Sequence, residues 1–181
     1  MNVLNIHERK LDAALQQVGA LLDSLAGPTD SLWPHQSWPH MKFDRPLSVG
    51  AVGGHGPIRY VVESYSRGQS VKFRFTGPTG FDGYHGYEVF SAPAQDCVLR
   101  HTLKMTTRGL AVLSWPLVFG PMHDALIEDS LAVAQASLGL VPTLKPWSLW
   151  VRLLRRLVSR GRVRPQNIPT PKMASHEASG S

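Results

Sequence analysis

Apolar and polar residues alternate with a period of two between Met41 and Thr106, which is the spacing of β-strands that bury one face. Glycine and proline interrupt this alternation several times, and a looser alternation occupies the amino terminus. The pattern therefore predicts six strands. They cover residues 2–11, 41–53, 58–65, 70–76, 84–91 and 98–106.

Two of the predicted hairpins can be given a register. A two-residue turn at 67–68 places Glu63 opposite Lys72 on the outer face, and the next hairpin places Glu88 opposite Arg100 there. The inward pairs are then Tyr60–Phe75, Val62–Phe73 and Ser64–Val71 in the first hairpin, and His85–Leu103, Tyr87–His101 and Val89–Leu99 in the second. One apolar and one charge-paired face in each hairpin predict a curved antiparallel meander.

Two segments have the three- and four-residue spacing of amphipathic helices. The first runs from residue 13 to about residue 25, with Asp12 as its cap, and the second spans residues 121–139. Their apolar stripes are Leu15, Val18, Leu22 and Leu25 in the first, and His123, Ile127, Leu131, Ala134 and Leu138 in the second. We expect the second helix to cover the apolar face of the sheet.

The net charge of +6 is distributed unevenly along the 181 residues. Residues 1–140 carry 11 basic and 12 acidic side chains, whereas residues 141–181 carry 8 basic and 1 acidic. The length favours one domain, residues 1–140, followed by a basic appendage. Nucleic-acid binding is not expected, because the body lacks the basic surface that it requires.

The cellular compartment can be inferred from cysteine and from apolar segments. A single cysteine, Cys97, excludes an internal disulfide framework and fits a reducing compartment. The first ten residues lack the apolar core of a secretory signal. The longest apolar stretch, 109–122, is shorter than the ~18 residues that indicate a membrane span. We expect a cytoplasmic protein, with peripheral attachment to the inner face of the membrane as an option for its basic appendage.

Five short motifs accompany this order of elements. They are L-W-P (32–34), G-G-H-G-P-I-R-Y (53–60), G-Y-H-G-Y-E-V-F (83–90), L-R-H-T-L (99–103) and P-M-H-D-A-L-I-E-D (121–129). Over about residues 5–139 the chain resembles uncharacterised bacterial members of the helix-grip superfamily, which includes START domains, pollen-allergen-like proteins and polyketide cyclases or dehydrases (SRPBCC). The resemblance implies an α+β fold with a curved antiparallel sheet of six to seven strands wrapped on a long C-terminal helix. It also implies a mainly apolar cavity for a lipid or another hydrophobic small molecule. No cofactor is expected.

Residues on the predicted inner face are the candidates for lining this cavity. They are Tyr60, Val62, Phe73, Phe75, His85, Tyr87, Val89, Leu99, His101, Leu103, His123 and Ile127. The aromatic members would line a cavity or form ordinary core. His85, His101 and His123 would orient a ligand or move a proton, or would be structural histidines. No H-x-x-x-H or H-E-x-x-H spacing occurs, so no metal site is expected.

Residues 147–164 combine tryptophan and arginine in an amphipathic helix, a composition typical of an interfacial anchor. The residues assigned to an anionic membrane surface are Trp147, Trp150, Arg152, Arg155 and Arg156. The alternative is that this helix docks on the body with its arginines solvated. Residues 165–181 are expected to be disordered.

Three functions remain open at the level of sequence. The first is binding of a hydrophobic small molecule or lipid in the cavity, for transport or sensing. The second is an enzyme of polyketide cyclase or dehydratase type that uses the cavity histidines, with Tyr87 as a polar helper. The third is a peripheral membrane protein that acts through its basic carboxy-terminal helix.

Overall fold

A seven-stranded antiparallel sheet curves around a long helix in the computed structural model, which describes residues 1–91, 97–159 and 164–169. The strands are β1 (Asn2–Leu11), β2 (Lys42–Phe43), β3 (Val52–His55), β4 (Ile58–Ser66), β5 (Ser70–Gly77), β6 (Phe81–Ser91) and β7 (Cys97–Thr107). The helices are α1 (Leu15–Asp23), α2 (Ala111–Ser114), α3 (Gly120–Ser137) and α4 (Leu149–Val158). Neighbouring strands follow the order β1-β7-β6-β5-β4-β3-β2. The predicted α+β architecture is confirmed.

The hairpin of β6 and β7 has the register that its sequence predicts. Tyr87 lies opposite His101, and both side chains are fully buried. On the outer face Arg100 lies between Glu88 of β6 and Glu8 of β1, and it forms an ion pair with Glu8. The alternation of apolar and charged residues was sufficient to set this register because every residue of the hairpin is paired in sequence order.

The hairpin of β4 and β5 has the predicted register only as far as Val62, which lies opposite Phe73. A bulge at Glu63 then adds one residue to β4, so that the later pairs shift by one position. Glu63 forms its ion pair with Arg74. The predicted pairs that this bulge makes wrong are Glu63–Lys72 and Ser64–Val71.

Two predicted elements have different bounds in the structure. Helix α1 begins at Leu15 rather than after Asp12, because the Gln17 side chain accepts a hydrogen bond from the Ala14 backbone (3.1 Å) and so caps the helix there. The predicted strand 41–53 is observed as the short strands β2 and β3, which are separated by a loop.

Helix α1 packs on the turn between β4 and β5. The Asp23 carboxylate accepts hydrogen bonds from the Tyr65 hydroxyl and from the Gly68 backbone N–H, both at 2.8 Å. A Cβ atom at Gly19 would lie 2.4 Å from the carbonyl oxygen of Gly68. The close approach of helix and turn therefore requires glycine at position 19.

The long helix begins ten residues earlier than predicted. Helix α2, a π-helical segment over 115–119 and α3 follow one another without a break, and the Gly120 N–H bonds to the Trp115 carbonyl across the π-helical turn. Pro121 has no N–H to donate to the preceding turn, and the Leu117 carbonyl of that turn accepts a hydrogen bond from the Trp150 indole instead (2.8 Å). Residues 126–136 are buried, since the sheet covers one side of α3 and α1 and α4 pack on others.

The carboxy-terminal segment is anchored to the body through Asp129 of α3. Asp129 is buried and accepts hydrogen bonds from the indole nitrogens of Trp38 (2.8 Å) and Trp147 (2.9 Å). The guanidinium of Arg155 lies over both indole rings, 4.2 and 4.1 Å from their centroids. The assignment of Trp147 and Arg155 to a membrane-facing surface is therefore wrong, because both side chains are buried in this cluster.

Residues 164–169 continue along the body beyond α4. The Gln166 amide donates to Asp129 (2.6 Å), and the Asn167 backbone N–H donates to the Ser37 hydroxyl (2.8 Å). These contacts correct the expectation of disorder for residues 165–169, whereas 160–163 and 170–181 lie outside the described residues. In the part of the chain that is described, no helix combines the length and apolarity needed to cross a bilayer.

Candidate functional site

A cavity of about 220 Å³ lies between the inner face of the sheet and the amino-terminal part of the long helix. The sheet lines it with His55, Ile58, Phe75, Phe81, His85 and Leu103. The helix lines it with Trp115, Val118, Phe119, Met122, His123, Leu126 and Ile127. The remaining lining residues are the buried Trp33 and Trp38 and the exposed Pro39, Gly56, Pro57 and Val158, and these four exposed residues form its rim. The lining is almost entirely apolar, and the cavity reaches solvent beside the exposed prolines of the rim.

The structure divides the predicted lining residues between this cavity and the packed core. Those that line the cavity are Phe75, His85, Leu103, His123 and Ile127. Those that pack in the core beside it are Tyr60, Val62, Phe73, Tyr87, Val89, Leu99 and His101. The second group is corrected from cavity to core because its apolar members belong to one packed cluster with residues of α1 and the loop at 32–33, and His101 is fully buried.

Tryptophan residues of the cavity wall were missed at the level of sequence. Trp33 and Trp38 each precede a proline, a pattern that favours extended backbone but does not place either indole at a cavity. The Trp33 indole donates a hydrogen bond to the Pro39 carbonyl (2.9 Å), which folds this loop over the cavity. Trp115 enters from the helix, and its ring lies edge-on to Phe81 at 5.9 Å between centroids. The apolar stretch before Pro121 was the available signal for Trp115.

Three histidines follow one another along the inner wall. The ring centroids of His85 and His101 are 5.5 Å apart, and those of His101 and His123 are 5.1 Å apart. His85 Nδ1 lies 3.3 Å from His101 Nε2, whereas His85 Nε2 has no hydrogen-bond partner within the described parts of the chain. His85 and His123 line the cavity and His101 lies behind them. Two of the three proposed acid–base candidates can therefore touch a ligand.

Burial determines the charge state of these imidazoles. It lowers the pKa of His85 and of His101 well below 6.5, and the neighbouring imidazoles lower both further. Burial also lowers the pKa of His55, which lines the cavity from the sheet, to about 3. His85 is consequently neutral at pH 7 and offers one donor and one acceptor nitrogen. Tyr87, the suggested polar helper, is not at the cavity, because its hydroxyl bonds to Ser130 (2.8 Å) in the core.

A polar cluster adjoins His123 where α3 meets β1. His7 lies between two carboxylates, with Nε2 at 3.2 Å from Asp124 Oδ1 and Nδ1 at 2.8 Å from Glu128 Oε1. Burial opposes the charged form of His7, but its hydrogen bonds with these carboxylates outweigh burial and raise its pKa. Burial likewise opposes the charge of Asp124, and the neighbouring imidazoles and Asn5 lower its pKa nonetheless. The ligand atoms of His7, His123 and Asp124 all lie within 4.8 Å of one another, which is a spacing that suits a metal ion.

Exposed apolar side chains surround one side of the cavity opening. Val158 lines the cavity and is 60% exposed, and Leu117 on the π-helical segment is 56% exposed. The Trp150 indole donates to the Leu117 carbonyl (2.8 Å), which connects α4 with that segment. We define the rim surface as the exposed residues Leu117, Leu149, Trp150, Arg152, Leu153, Arg156, Leu157 and Val158.

Comparisons with known proteins identify the fold. No protein-family model and no curated protein matches the sequence. A protein from Thermobifida fusca matches over 75% of this chain and 93% of its own, with 14% identity and a TM-score of 0.57. Norcoclaurine synthase from Thalictrum flavum, solved in complex with dopamine and hydroxybenzaldehyde, matches over 76% of this chain and 87% of its own, with 13% identity and a TM-score of 0.56. A protein from Nitrosospira multiformis matches over 72% and 94%, with 12% identity and a TM-score of 0.56. The chain therefore has the helix-grip fold, as its sequence motifs predict.

Proposed function

We propose that this chain binds a neutral, mainly apolar small molecule in the cavity between the sheet and the long helix. The observation that carries the proposal is an apolar space of about 220 Å³ that opens beside the rim surface. A dry cavity of ~150 Å³ accepts benzene, and pockets for drug-sized ligands begin near ~300 Å³. The volume therefore favours a compound of one or two rings over a two-chain lipid.

The position of His85 suggests that this ligand carries one polar group. Its Nε2 atom is buried at the cavity and has no partner in the described parts of the chain. A buried polar atom without a partner costs free energy that a ligand hydroxyl or carbonyl would recover. The lining contains no Asp, Glu, Lys or Arg and the His85 imidazole is neutral, so the cavity offers no opposite charge to an ion of either sign and favours a neutral ligand. Norcoclaurine synthase, which shares the fold, was solved with dopamine and hydroxybenzaldehyde, and both compounds have a single ring.

Calorimetric titration with 2-naphthol and with naphthalene tests this proposal. We expect the wild type to bind both, with 2-naphthol bound about fivefold more tightly through one hydrogen bond of ~1 kcal/mol. His85→Leu should abolish that preference. Met122→Trp, which fills the cavity, should weaken both by at least tenfold, while Leu110→Trp, at an 85% exposed position of similar chemistry, should leave them unchanged. Failure of the wild type to bind either compound, or normal binding by Met122→Trp, would contradict the proposal.

Catalysis of a cyclase or dehydratase reaction receives less support than binding. His101 lies behind the wall, and Tyr87 is engaged with Ser130. Only His85 and His123 of the suggested acid–base set remain within reach of a ligand. Native mass spectrometry of the protein purified from its own host would identify the bound compound, and a second species that differs by the loss of water would favour the enzyme.

A second candidate function, contact with an anionic bilayer, is supported by the rim surface. Its arginines Arg152 and Arg156 stand among exposed leucines and Trp150, next to the cavity opening. Each basic group near an anionic leaflet contributes about 1 kcal/mol. An apolar ligand held in a membrane would then have a short path into the cavity.

Sedimentation with phosphatidylglycerol-containing vesicles tests the membrane contact. Deleting the carboxy-terminal segment is unsuitable, because Trp147 and Arg155 belong to the packed body. The variant Leu153→Asp, Leu157→Asp should lose most vesicle binding, and the control Leu4→Asp, at a 66% exposed position on β1, should retain it. Equal binding by the two variants would exclude the rim surface.

A further inference from the structure

Three metal-ligand side chains converge between β1 and the first turns of α3. His7 Nε2 lies 3.2 Å from Asp124 Oδ1, and His123 Nδ1 lies 3.6 Å from the same oxygen. In a tetrahedral site with bonds of about 2.0–2.1 Å, neighbouring nitrogen and oxygen ligands are about 3.4 Å apart. The two observed separations bracket that value, and the ligand nitrogens of His7 and His123 lie within 4.8 Å of each other, so the two rings must rotate toward each other to bind one ion.

Several buried polar atoms of this cluster form no hydrogen bond with the described part of the chain. Both ring nitrogens of His123 are buried and neither forms a hydrogen bond of normal length there, because the nearest polar contact of Nδ1 is Asp124 Oδ1 at 3.6 Å. The Asn5 amide donates to Asp124 Oδ1 (2.8 Å), but Asn5 Oδ1 is buried and has no partner either. Buried polar atoms are nearly always paired with protein, water or an ion. Buried imidazole nitrogens and an amide oxygen that lack hydrogen bonds beside a carboxylate therefore point to a bound ion or water.

Glu128 orients His7 for metal binding. Its carboxylate forms ion pairs with Arg9 and Lys145, each at 2.8 Å, and accepts the hydrogen bond from His7 Nδ1 (2.8 Å). This hydrogen bond fixes the orientation of the His7 ring, with Nε2 3.2 Å from Asp124 Oδ1. A carboxylate behind a histidine is also the usual outer partner of a metal-bound imidazole.

From these contacts we propose that His7, His123 and Asp124 bind one divalent transition-metal ion, with Zn²⁺ as the chemically best-matched probe. Two imidazoles and one carboxylate suit Zn²⁺ and Co²⁺, whereas Mg²⁺ and Ca²⁺ prefer oxygen ligands. Three protein ligands leave a fourth tetrahedral position for water or for another small molecule. The site shares His123 with the cavity wall, but it does not depend on the ligand proposed for the cavity.

The sequence could not indicate this site by motif spacing. His7 and His123 are separated by more than a hundred residues, and the two neighbours on α3 are not in a recognised metal-binding pattern. The antiparallel pairing of β1 with β7 and the packing of α3 on β1 bring them together. This proposal therefore differs from the sequence-based expectation that the chain has no metal site.

Calorimetric titration of the untagged, EDTA-treated full chain with Zn²⁺ tests the proposal, with the visible absorption of Co²⁺ as a second readout. We expect one ion per chain and a tetrahedral Co²⁺ spectrum. His123→Ala should abolish both signals. Asp124→Asn keeps the shape of a half-exposed side chain and should lower the affinity at least tenfold. Glu128→Gln should lower the affinity about 10- to 100-fold by releasing the orientation of His7.

The control is His40→Ala, which removes an exposed histidine outside the cluster and should bind Zn²⁺ as the wild type does. Circular dichroism checks that each variant is folded. If His123→Ala does not fold, the Zn²⁺ affinity of Asp124→Asn decides the outcome. If the wild type takes up no more Zn²⁺ than Asp124→Asn, His7 carries a second proton toward Asp124 and the proposal is overturned. An equal loss of affinity in His40→Ala would overturn it as well.

Discussion

Lowering the pH from 7 to 5 is expected to destabilise the fold, because buried histidines that are neutral inside it take up protons once the chain unfolds. Burial and the neighbouring imidazoles hold the pKa of His85 and of His101 well below 6.5, and burial lowers the pKa of His55 to about 3. In the unfolded chain each of these groups titrates near 6.5. Their contribution to stability is therefore complete above about pH 6.5 and is lost as the pH falls below that value.

The size of the effect follows from proton linkage. A histidine that stays neutral in the fold loses about 2 kcal/mol of stability between pH 7 and pH 5, so His55, His85 and His101 together lose about 6 kcal/mol. Burial also lowers the pKa of His123, which adds to the loss, whereas the hydrogen bonds of His7 with carboxylates outweigh burial, raise its pKa and act in the opposite direction. We expect a net loss of about 4 to 6 kcal/mol. Many domains have a total free energy of unfolding of only about 5 to 15 kcal/mol, so this loss is large enough to measure.

Urea unfolding followed by tryptophan fluorescence at pH 7 and pH 5 measures this loss. His101→Leu removes one buried titrating group, so the difference between the two pH values should shrink by about 2 kcal/mol relative to the wild type. His40→Ala removes an exposed histidine and should leave the difference unchanged. A wild type as stable at pH 5 as at pH 7, or the same pH dependence in His101→Leu and the wild type, would refute the reasoning.

Two further predictions concern the packing of the body. Asp129→Ala leaves the buried indole N–H groups of Trp38 and Trp147 unpaired, so it should lower the free energy of unfolding by about 2 to 6 kcal/mol in urea titrations. The control Asp82→Ala changes an exposed carboxylate and should have little effect. Gly19→Ala would bring a Cβ to 2.4 Å from the Gly68 carbonyl and should cost about 1 to 3 kcal/mol, measured as a lower Tm against the exposed control Gln16→Ala.

The sheet register could be predicted where the alternation of apolar and polar residues continues through strand pairing that no bulge interrupts. The β6–β7 hairpin meets this condition, since its alternating residues pair without interruption from Phe81 to Ser91. In the β4–β5 hairpin a bulge at Glu63 moves Tyr65 rather than Ser64 to the inner face, where its hydroxyl reaches Asp23 of α1. That contact joins distant parts of the chain, so the local alternation contained no sign of the bulge.

The cavity was harder to predict than the face on which it lies. Phe73 and Phe75 are two residues apart on β5 and share the inner face, yet Phe73 is fully buried in the core and Phe75 lines the cavity. Period-two spacing assigns a residue to a face, whereas the covering elements determine whether space remains above it. Phe43 of β2 stacks on Phe73 with 5.7 Å between ring centroids, and the position of this short strand depends on contacts that no local pattern encodes.

Helix α4 docks on the body, which is one of the two predictions for the basic segment. Asp129 on α3 provides a buried partner for Trp147, and Arg155 packs on its ring rather than being solvated. Arg152 and Arg156 remain on the outward side, where Leu153 and Leu157 are also exposed. One side of α4 therefore stabilises the body, and the other is available to a partner. Because the two sides use different residues, the outward side can be altered without disturbing the Asp129 cluster, and membrane attachment can be tested separately from folding.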